Sequence, residues 1–204
     1  MRVALIGATG NAGSRVLNEL LSRGHEVTAI VRHPEKVAAH PRVTPRGVDG
    51  SQQALTEAIR GHDAVVSAAR FADLDPDILV PAVKASGVKR YLVVGGAGSL
   101  MHPDGVLEVD KNSGMPAPAQ ANSRRGGYLL GLLRQSEGLD WTYISPSRYF
   151  RAGERTGRFR IGKDHMLLDE KGEPTSISYE DMALAVVDEL EKPQHIRERF
   201  TIGY

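Results

Sequence analysis

Short apolar runs alternate along the chain with longer stretches whose apolar positions recur at helical spacing. Val3-Ala4-Leu5-Ile6 is continuously apolar, as expected for a strand buried on both faces. From residue 11 to residue 23 the pattern changes. Val16, Leu17, Leu20 and Leu21 share one helical face, and Gly24 follows, a residue suited to the positive φ that often ends a helix. Further strands are predicted over residues 27–31, 43–48, 64–67, 90–94 and 141–145, the second of them weakened by Pro45. Helices are predicted between them, over 52–60 (opened by Ser51 and stopped by Gly61), 77–86 (stopped by Gly87) and 118–136. In the last of these, Gly126-Gly127 weakens the helix by about 1 kcal/mol per glycine.

Strand and helix in repeated alternation require crossover connections, and therefore a parallel sheet. The predicted class is α/β: a Rossmann-type, doubly wound, mainly parallel sheet in one domain spanning 1–204. The final third reads differently. Residues 158–161, 166–168 and 199–202 are short strand candidates, Gly162 and Lys171-Gly172 are turn signals, and 179–191 is an amphipathic helix ending before Pro193. Residues 147–178 are expected to form part of a small C-terminal cap on the carboxyl edge of the sheet, on the substrate side. The segment 98–118, rich in Gly, Pro, Asp and Ser, is a long loop of the kind that carries function or motion.

Gly7-Ala8-Thr9-Gly10-Asn11-Ala12-Gly13 joins the first strand to the first helix, the context that gives a glycine triplet meaning. Gly7 permits the tight turn, Gly10 lets the backbone approach a pyrophosphate, and Gly13 lets the helix lie close on the strand. Free N–H groups and the helix dipole then favour an anion beside Thr9, Asn11 and Ala12. No Gly-Lys-Ser/Thr follows, which excludes a nucleotidase-type phosphate loop. An NAD site would carry an acid at the end of the second strand; this chain has Arg32, with Lys36 one turn later, and arginine matches a 2′-phosphate through its planar fork. NADP(H) is therefore expected in preference to NAD(H). Asp49, after the third predicted strand, is a candidate for the adenine side. Ala68-Ala69 and Gly95-Gly96 end the fourth and fifth strands with small residues that leave room for a cofactor.

Composition narrows the rest. The chain of 204 residues has no cysteine, which excludes disulfides and thiol chemistry. Its net charge of +1, with both signs intermixed, gives no basic face for nucleic acid; Arg124-Arg125 reads as a solvated pair. No apolar run approaches membrane-spanning length and no leader pattern opens the chain, so a cytoplasmic protein, monomeric or homodimeric, is expected. The seven histidines show no metal-ligand spacing, so no metal is expected, and His25 and His62, each after a turn glycine, are expected in solvent.

These motifs, with Gly61-His62-Asp63-Ala64-Val65-Val66-Ser67, Val94-Gly95-Gly96-Ala97-Gly98-Ser99 and Trp141-Thr142-Tyr143-Ile144-Ser145-Pro146, resemble the atypical short-chain dehydrogenase/reductases. Within these the match is to the NmrA-like group that includes NADH-flavin reductase-like and biliverdin reductase B-like proteins. The resemblance covers nearly the full length. It implies a nicotinamide dinucleotide, with Pro146 and Ser147 near the nicotinamide end and Arg32 and Lys36 at the 2′-phosphate. It leaves the acceptor open, because the group spans flavin and quinone reductases and redox-sensing regulators.

The departure from conventional dehydrogenases bears on the acceptor. Their acid is a tyrosine with a lysine four residues later, and no lysine here has that partner; Tyr128 is followed at that spacing by Leu132. The usual serine position falls at Gly95 or Gly96. Ser99, displaced along the loop, either bonds a substrate or caps the loop, and His102 is a candidate proton donor. Arg148 and Arg151 either meet an acidic group or form surface ion pairs, and Trp141 and Tyr143 read as packing residues. An isoalloxazine or quinone accepts hydride directly and can take its proton from water. The expected small-molecule partner is therefore a flavin- or quinone-class acceptor, and the alternative is a dinucleotide sensor with little turnover.

Overall fold

Val3, Ala4, Leu5 and Ile6 are all buried in the computed structural model, which describes residues 1–112 and 114–204. Ser113, inside the 98–118 loop, lies outside the described residues. The four apolar residues form most of β1 (Arg2–Ile6), which is hydrogen-bonded in parallel on one side to β2 (Glu26–Val31) and on the other to β4 (Ala64–Ser67). Outward from β2 lies β3 (Val43–Gly47). Outward from β4 lie β5 (Arg90–Val94), β6 (Asp140–Pro146), β10 (Glu198–Gly203) and β8 (Arg160–Gly162). All these pairings are parallel except that of β8 with β10. The chain winds outward from β1 in one direction, returns at β4 and winds the other way, which makes this a Rossmann-type α/β sheet with its switch point between β1 and β4. β3 holds Pro45 because it is an edge strand, where a missing N–H leaves no ladder position unfilled on a second side.

Alternate residues feed two cores. Val3 and Leu5 point to the face covered by α1 (Asn11–Ser22) and α6 (Tyr179–Glu191). Ala4 and Ile6 point to the face covered by α2 (Gln52–Ile59), α3 (Pro76–Ser86) and α5 (Ala117–Arg134). Helix α2 is capped as its sequence suggests, Ser51 Oγ accepting from Ala54 N–H. The Gly126-Gly127 pair does not break α5, and at Gly126 packing explains it: the Phe71 ring lies where a side chain would stand, 2.6 Å from an added Cβ.

Several expectations need correction. Residues 166–168 form no strand. Their backbone groups are used piecemeal, Met166 N–H donating to Met101 O and Leu167 O accepting from Thr175 N–H, so only isolated bridges form. Two three-residue strands without a distinct pattern, β7 (Tyr149–Arg151) and β9 (Ser176–Ser178), pair instead as a small parallel sheet. The span 147–178 is divided, because β8 within it extends the main sheet. His25 is buried, with Nε2 2.9 Å from Glu191 Oε1. His62 is half-buried, its ring nitrogens 2.7 Å from Ile59 O and 2.7 Å from Thr28 Oγ1.

The described residues of the 98–118 segment are ordered into local structure: a 3-10 turn over Ala97–Ser99 leads into it, and the short helix α4 (Glu108–Lys111) lies within it. Glu108 is buried and anchors it, accepting from Arg148 Nε at 2.6 Å, from Arg148 Nη2 at 2.7 Å and from Asn112 Nδ2 at 3.2 Å, with His102 Nε2 2.8 Å away. Burial alone would raise its carboxyl, but these donors outweigh burial and hold it below the usual range.

Candidate functional site

A cleft of about 720 Å³ opens where β1, β2, β4 and β5 end. Its position outside the carboxyl ends of the strands, at the switch point, follows from the winding. Gly7, Thr9, Gly10, Asn11 and Ala12 line it together, as do Arg32, Asp49, Ala68, Ala69 and Gly95.

The glycine loop is shaped by close backbone approaches. Gly7 has φ of +84°, and a Cβ there would lie 2.7 Å from Ala69 N. Gly13 is buried below the loop rather than lining the cleft, and its Cα faces Gly7 O so closely that a Cβ would overlap that oxygen. Gly10 is the N-cap of α1 and provides no side-chain cap; the first helical bond is Ser14 N–H to Gly10 O. The N–H groups of the first turn, at Asn11, Ala12 and Gly13, are thus left without an internal acceptor among the described residues, and the turn carries no acid. A helix start of this kind attracts an anion. The donor set and the missing Cβ at Gly10 fit a diphosphate.

Arg32 stands at the rim with its side chain 68% exposed, reaching no described anion more closely than Asp73 Oδ2, at 3.8 Å. Asp49 Oδ1 accepts from Ser51 N–H at 2.9 Å, and that backbone donor holds the carboxyl below its usual range. Other expected residues are not brought to the cleft. Lys36 ends an exposed 3-10 turn over Pro34–Lys36 and does not line it. Neither do Gly96, Pro146 and Ser147; Ser147 is fully buried under the 166–175 segment, its Oγ 2.8 Å from Thr175 Oγ1. Ser99 and His102 are also outside it. Ser99 Oγ accepts from Arg199 Nη1 at 3.3 Å, and His102 is held against Glu108. Arg148 is the other half of that buried pair, Arg151 is exposed, and Trp141 and Tyr143 are core residues. The Tyr143 ring occupies the space a side chain at Gly95 would need, and its hydroxyl donates to Gly126 O at 3.1 Å and accepts from Gly96 N–H.

The cleft also gathers residues that sequence patterning did not single out. Arg70, Phe71, Asp73 and Leu74 come from the turn beyond β4, Asn122 from α5, Phe150 from β7 and Tyr179 from the start of α6. Asn122 Oδ1 accepts from Ala72 N–H at 2.9 Å, so its amide is oriented by the backbone. Phe150 meets Tyr179 edge-on at 4.5 Å, and Arg15 lies over the same phenol ring at 5.7 Å. An aromatic residue shortly after the small pair that follows β4, at the switch point, was the available signal for Phe71. Among the described residues no histidine or lysine lines the cleft, and none form a cluster able to hold a metal ion. No helix among them is long and apolar enough to cross a membrane.

Comparison with known proteins agrees with this geometry. A family model described as NAD(P)H-binding matches residues 7–193. The uncharacterized Bacillus subtilis protein YwnB is 37% identical over 212 residues, covering 99% of this chain and 98% of its own length. A solved structure from Bacteroides thetaiotaomicron, provisionally described as an epimerase, superposes with a TM-score of 0.91 at 42% identity, over 100% of this chain and 96% of that one. Another, from Streptococcus pneumoniae and provisionally described as an NADH-flavin reductase, gives a TM-score of 0.77 at 34% identity, over 100% and 99%.

Proposed function

The chain belongs to the NAD(P)H-binding family of atypical short-chain dehydrogenase/reductases, and from that premise we propose that it is an NADPH-dependent reductase of flavins, quinones or similar conjugated acceptors. One observation carries the proposal: a dinucleotide-sized cleft offers free first-turn amides and Arg32, yet is walled elsewhere by Phe71, Phe150 and Tyr179, with no histidine or lysine among the described lining residues. The bound cofactor supplies the hydride. The protein's part is positional. The α1 amides bind the diphosphate, Arg32 meets the 2′-phosphate through its bidentate fork, and the aromatic wall excludes water and offers flat surface to a planar ring. A ketone would require a positioned proton, whereas a conjugated acceptor can take one from solvent.

Stopped-flow oxidation of NADPH against a panel of flavins and quinones tests this. Turnover is expected with at least one of them, varying by less than about twofold across the neutral pH range because no side-chain acid is invoked; failure with every acceptor sinks the proposal. The cofactor assignment is tested separately. Arg32→Asp is expected to weaken NADPH by about tenfold or more while leaving NADH nearly unchanged, as loss of a charge-assisted bidentate contact requires. Equal losses for the two cofactors in calorimetry would contradict it.

The withdrawal of Ser99 and His102 from the cleft favours a second function, a dinucleotide-dependent redox sensor. It would bind cofactor without turnover and capture a partner protein only in one cofactor state, which affinity capture with and without NADPH distinguishes.

A further inference from the structure

Asp73 lies between two guanidinium groups at the mouth of the cleft. Arg70, from the same turn, clamps it, with Nε donating to Oδ2 at 2.7 Å and Nη2 to Oδ1 at 3.0 Å. Arg32 reaches toward it from the end of β2, across the switch point, with Nη2 3.8 Å from Oδ2. The three side chains differ in freedom: Asp73 is 23% exposed, whereas Arg32 and Arg70 are 68% and 74% exposed. The acid is the anchored member, then, and the arginines are the ones able to swing. Arg70, hydrogen-bonded to it, holds the Asp73 carboxyl below the usual range against a modest upward pull from burial, and Arg32 adds to the effect. At neutral pH the group is an anion facing the arginine assigned above to the 2′-phosphate.

We propose that Asp73 is a specificity-determining residue: an internal anion that competes with the 2′-phosphate for Arg32, with Arg70 as the counter-charge that lets both anions share the rim. This rests on the assignment of Arg32 to the 2′-phosphate. The competition is electrostatic, between partly exposed groups, so its size is modest and it weakens with salt. It sets how far the site discriminates between the two nicotinamide cofactors rather than whether it binds them. Arg70 has the opposite role to Asp73. Without its clamp, Asp73 would present an unbalanced negative charge to an arriving dianion.

Calorimetric titration of NADPH and NADH into the wild type, Asp73→Asn and Arg70→Gln, at low and high salt, tests this. Asp73→Asn is expected to tighten NADPH by about fivefold at low salt and to leave NADH within about twofold, while Arg70→Gln weakens NADPH selectively. The turn is held by Asp73 N–H donating to Arg70 O, a backbone bond that both variants keep, and thermal melts will show whether each is folded. If Asp73→Asn weakens both cofactors alike, the carboxylate serves the ribose or adenine, and the inference is overturned. An unchanged NADPH-to-NADH ratio in both variants overturns it as well. If the wild type itself binds the two cofactors equally, the assignment of Arg32 falls and takes this inference with it. A wild type that prefers NADPH but shows no response at residue 73 or 70 removes the inference alone.

Discussion

Gly13→Ala is expected to abolish dinucleotide binding and to destabilise the fold by about 3 kcal/mol or more. The added methyl would fall on Gly7 O, a backbone atom that cannot turn aside as a flexible side chain does. Gly7 is fixed in turn by its positive φ, by the approach of Ala69 and by its N–H bond to Ile30 O at 3.0 Å. Relief therefore requires α1 to move off β1, which opens the core around Val16 and Leu20 and turns the first-turn amides away from the cleft. Gly10→Ala makes an informative contrast. Its Cβ would stand 3.3 Å from Gly7 O, a tight but tolerable approach, so binding should weaken while urea denaturation shows a nearly unchanged midpoint. Denaturation curves and NADPH titrations on the pair check both statements. A Gly13→Ala protein with wild-type stability would show that α1 does not depend on this contact.

Glu189→Ala is expected to destabilise by about 3–5 kcal/mol, by stranding a buried cation. The carboxylate is 4% exposed in α6. It accepts from Arg90 Nη2 at 3.0 Å, from His195 N at 2.9 Å and from Gln194 N at 3.2 Å, with His195 Nδ1 2.9 Å away. Burial alone would raise this carboxyl, but the His195 side chain and the backbone donors outweigh it, and the folded state holds it below its usual range. The sign of the pH dependence follows. A carboxyl whose folded pKa is depressed contributes fully above its unfolded value, and the contribution is lost as pH falls through the folded one. Stability curves of the wild type should thus fall more steeply in acid than those of Glu189→Gln. Because Glu189 sits at the amino ends of β5 and β6, far along the strands from the cleft, the folded fraction of either variant should bind NADPH normally. Loss of binding in a folded variant would count against that separation.

Most of the fold was legible because its central strands are buried on both faces and therefore largely apolar. Val3 to Ile6, Ala64 to Val66 and Tyr91 to Val94 need no tertiary information to be recognised. Helix α6 was equally plain, being amphipathic and stopped by Pro193; the Ser178 cap at its start emerged only in the structure. What the pattern missed was short or held by distant partners. Strands β7 and β9 have three residues each and exist only because they pair with one another. His25 looked like a solvated turn residue, yet Glu191, far away in sequence, comes to meet it. The site divides along the same line. That Gly7, Gly10 and Arg32 would meet in one cleft was readable, since a backbone turn and a strand-end cation are local features. Asp73 and Asn122 were not, because their placement depends on a turn beyond β4 packing against α5. Ser99 and His102 lie away from the cleft for a physical reason: a loop rich in polar residues resembles a mobile active-site segment until a buried acid such as Glu108 is seen to pin it.

Strand β10 has an implication for how the protein is made. It follows the nine other described strands in sequence, yet it lies inside the sheet, between β6 and β8. A nascent polypeptide emerging from the ribosome can assemble β1 through β6 and the cofactor-side loops first, but until residues 198–203 are released the β6 edge has no neighbour and β8 has nothing to join. Unpaired backbone and the apolar surface awaiting Phe200 and Ile202 stay open during that interval, a template for faulty pairing with other growing chains. Substitutions that weaken the pairing of residues 198–203 should thus reduce soluble yield more than their distance from the cleft suggests.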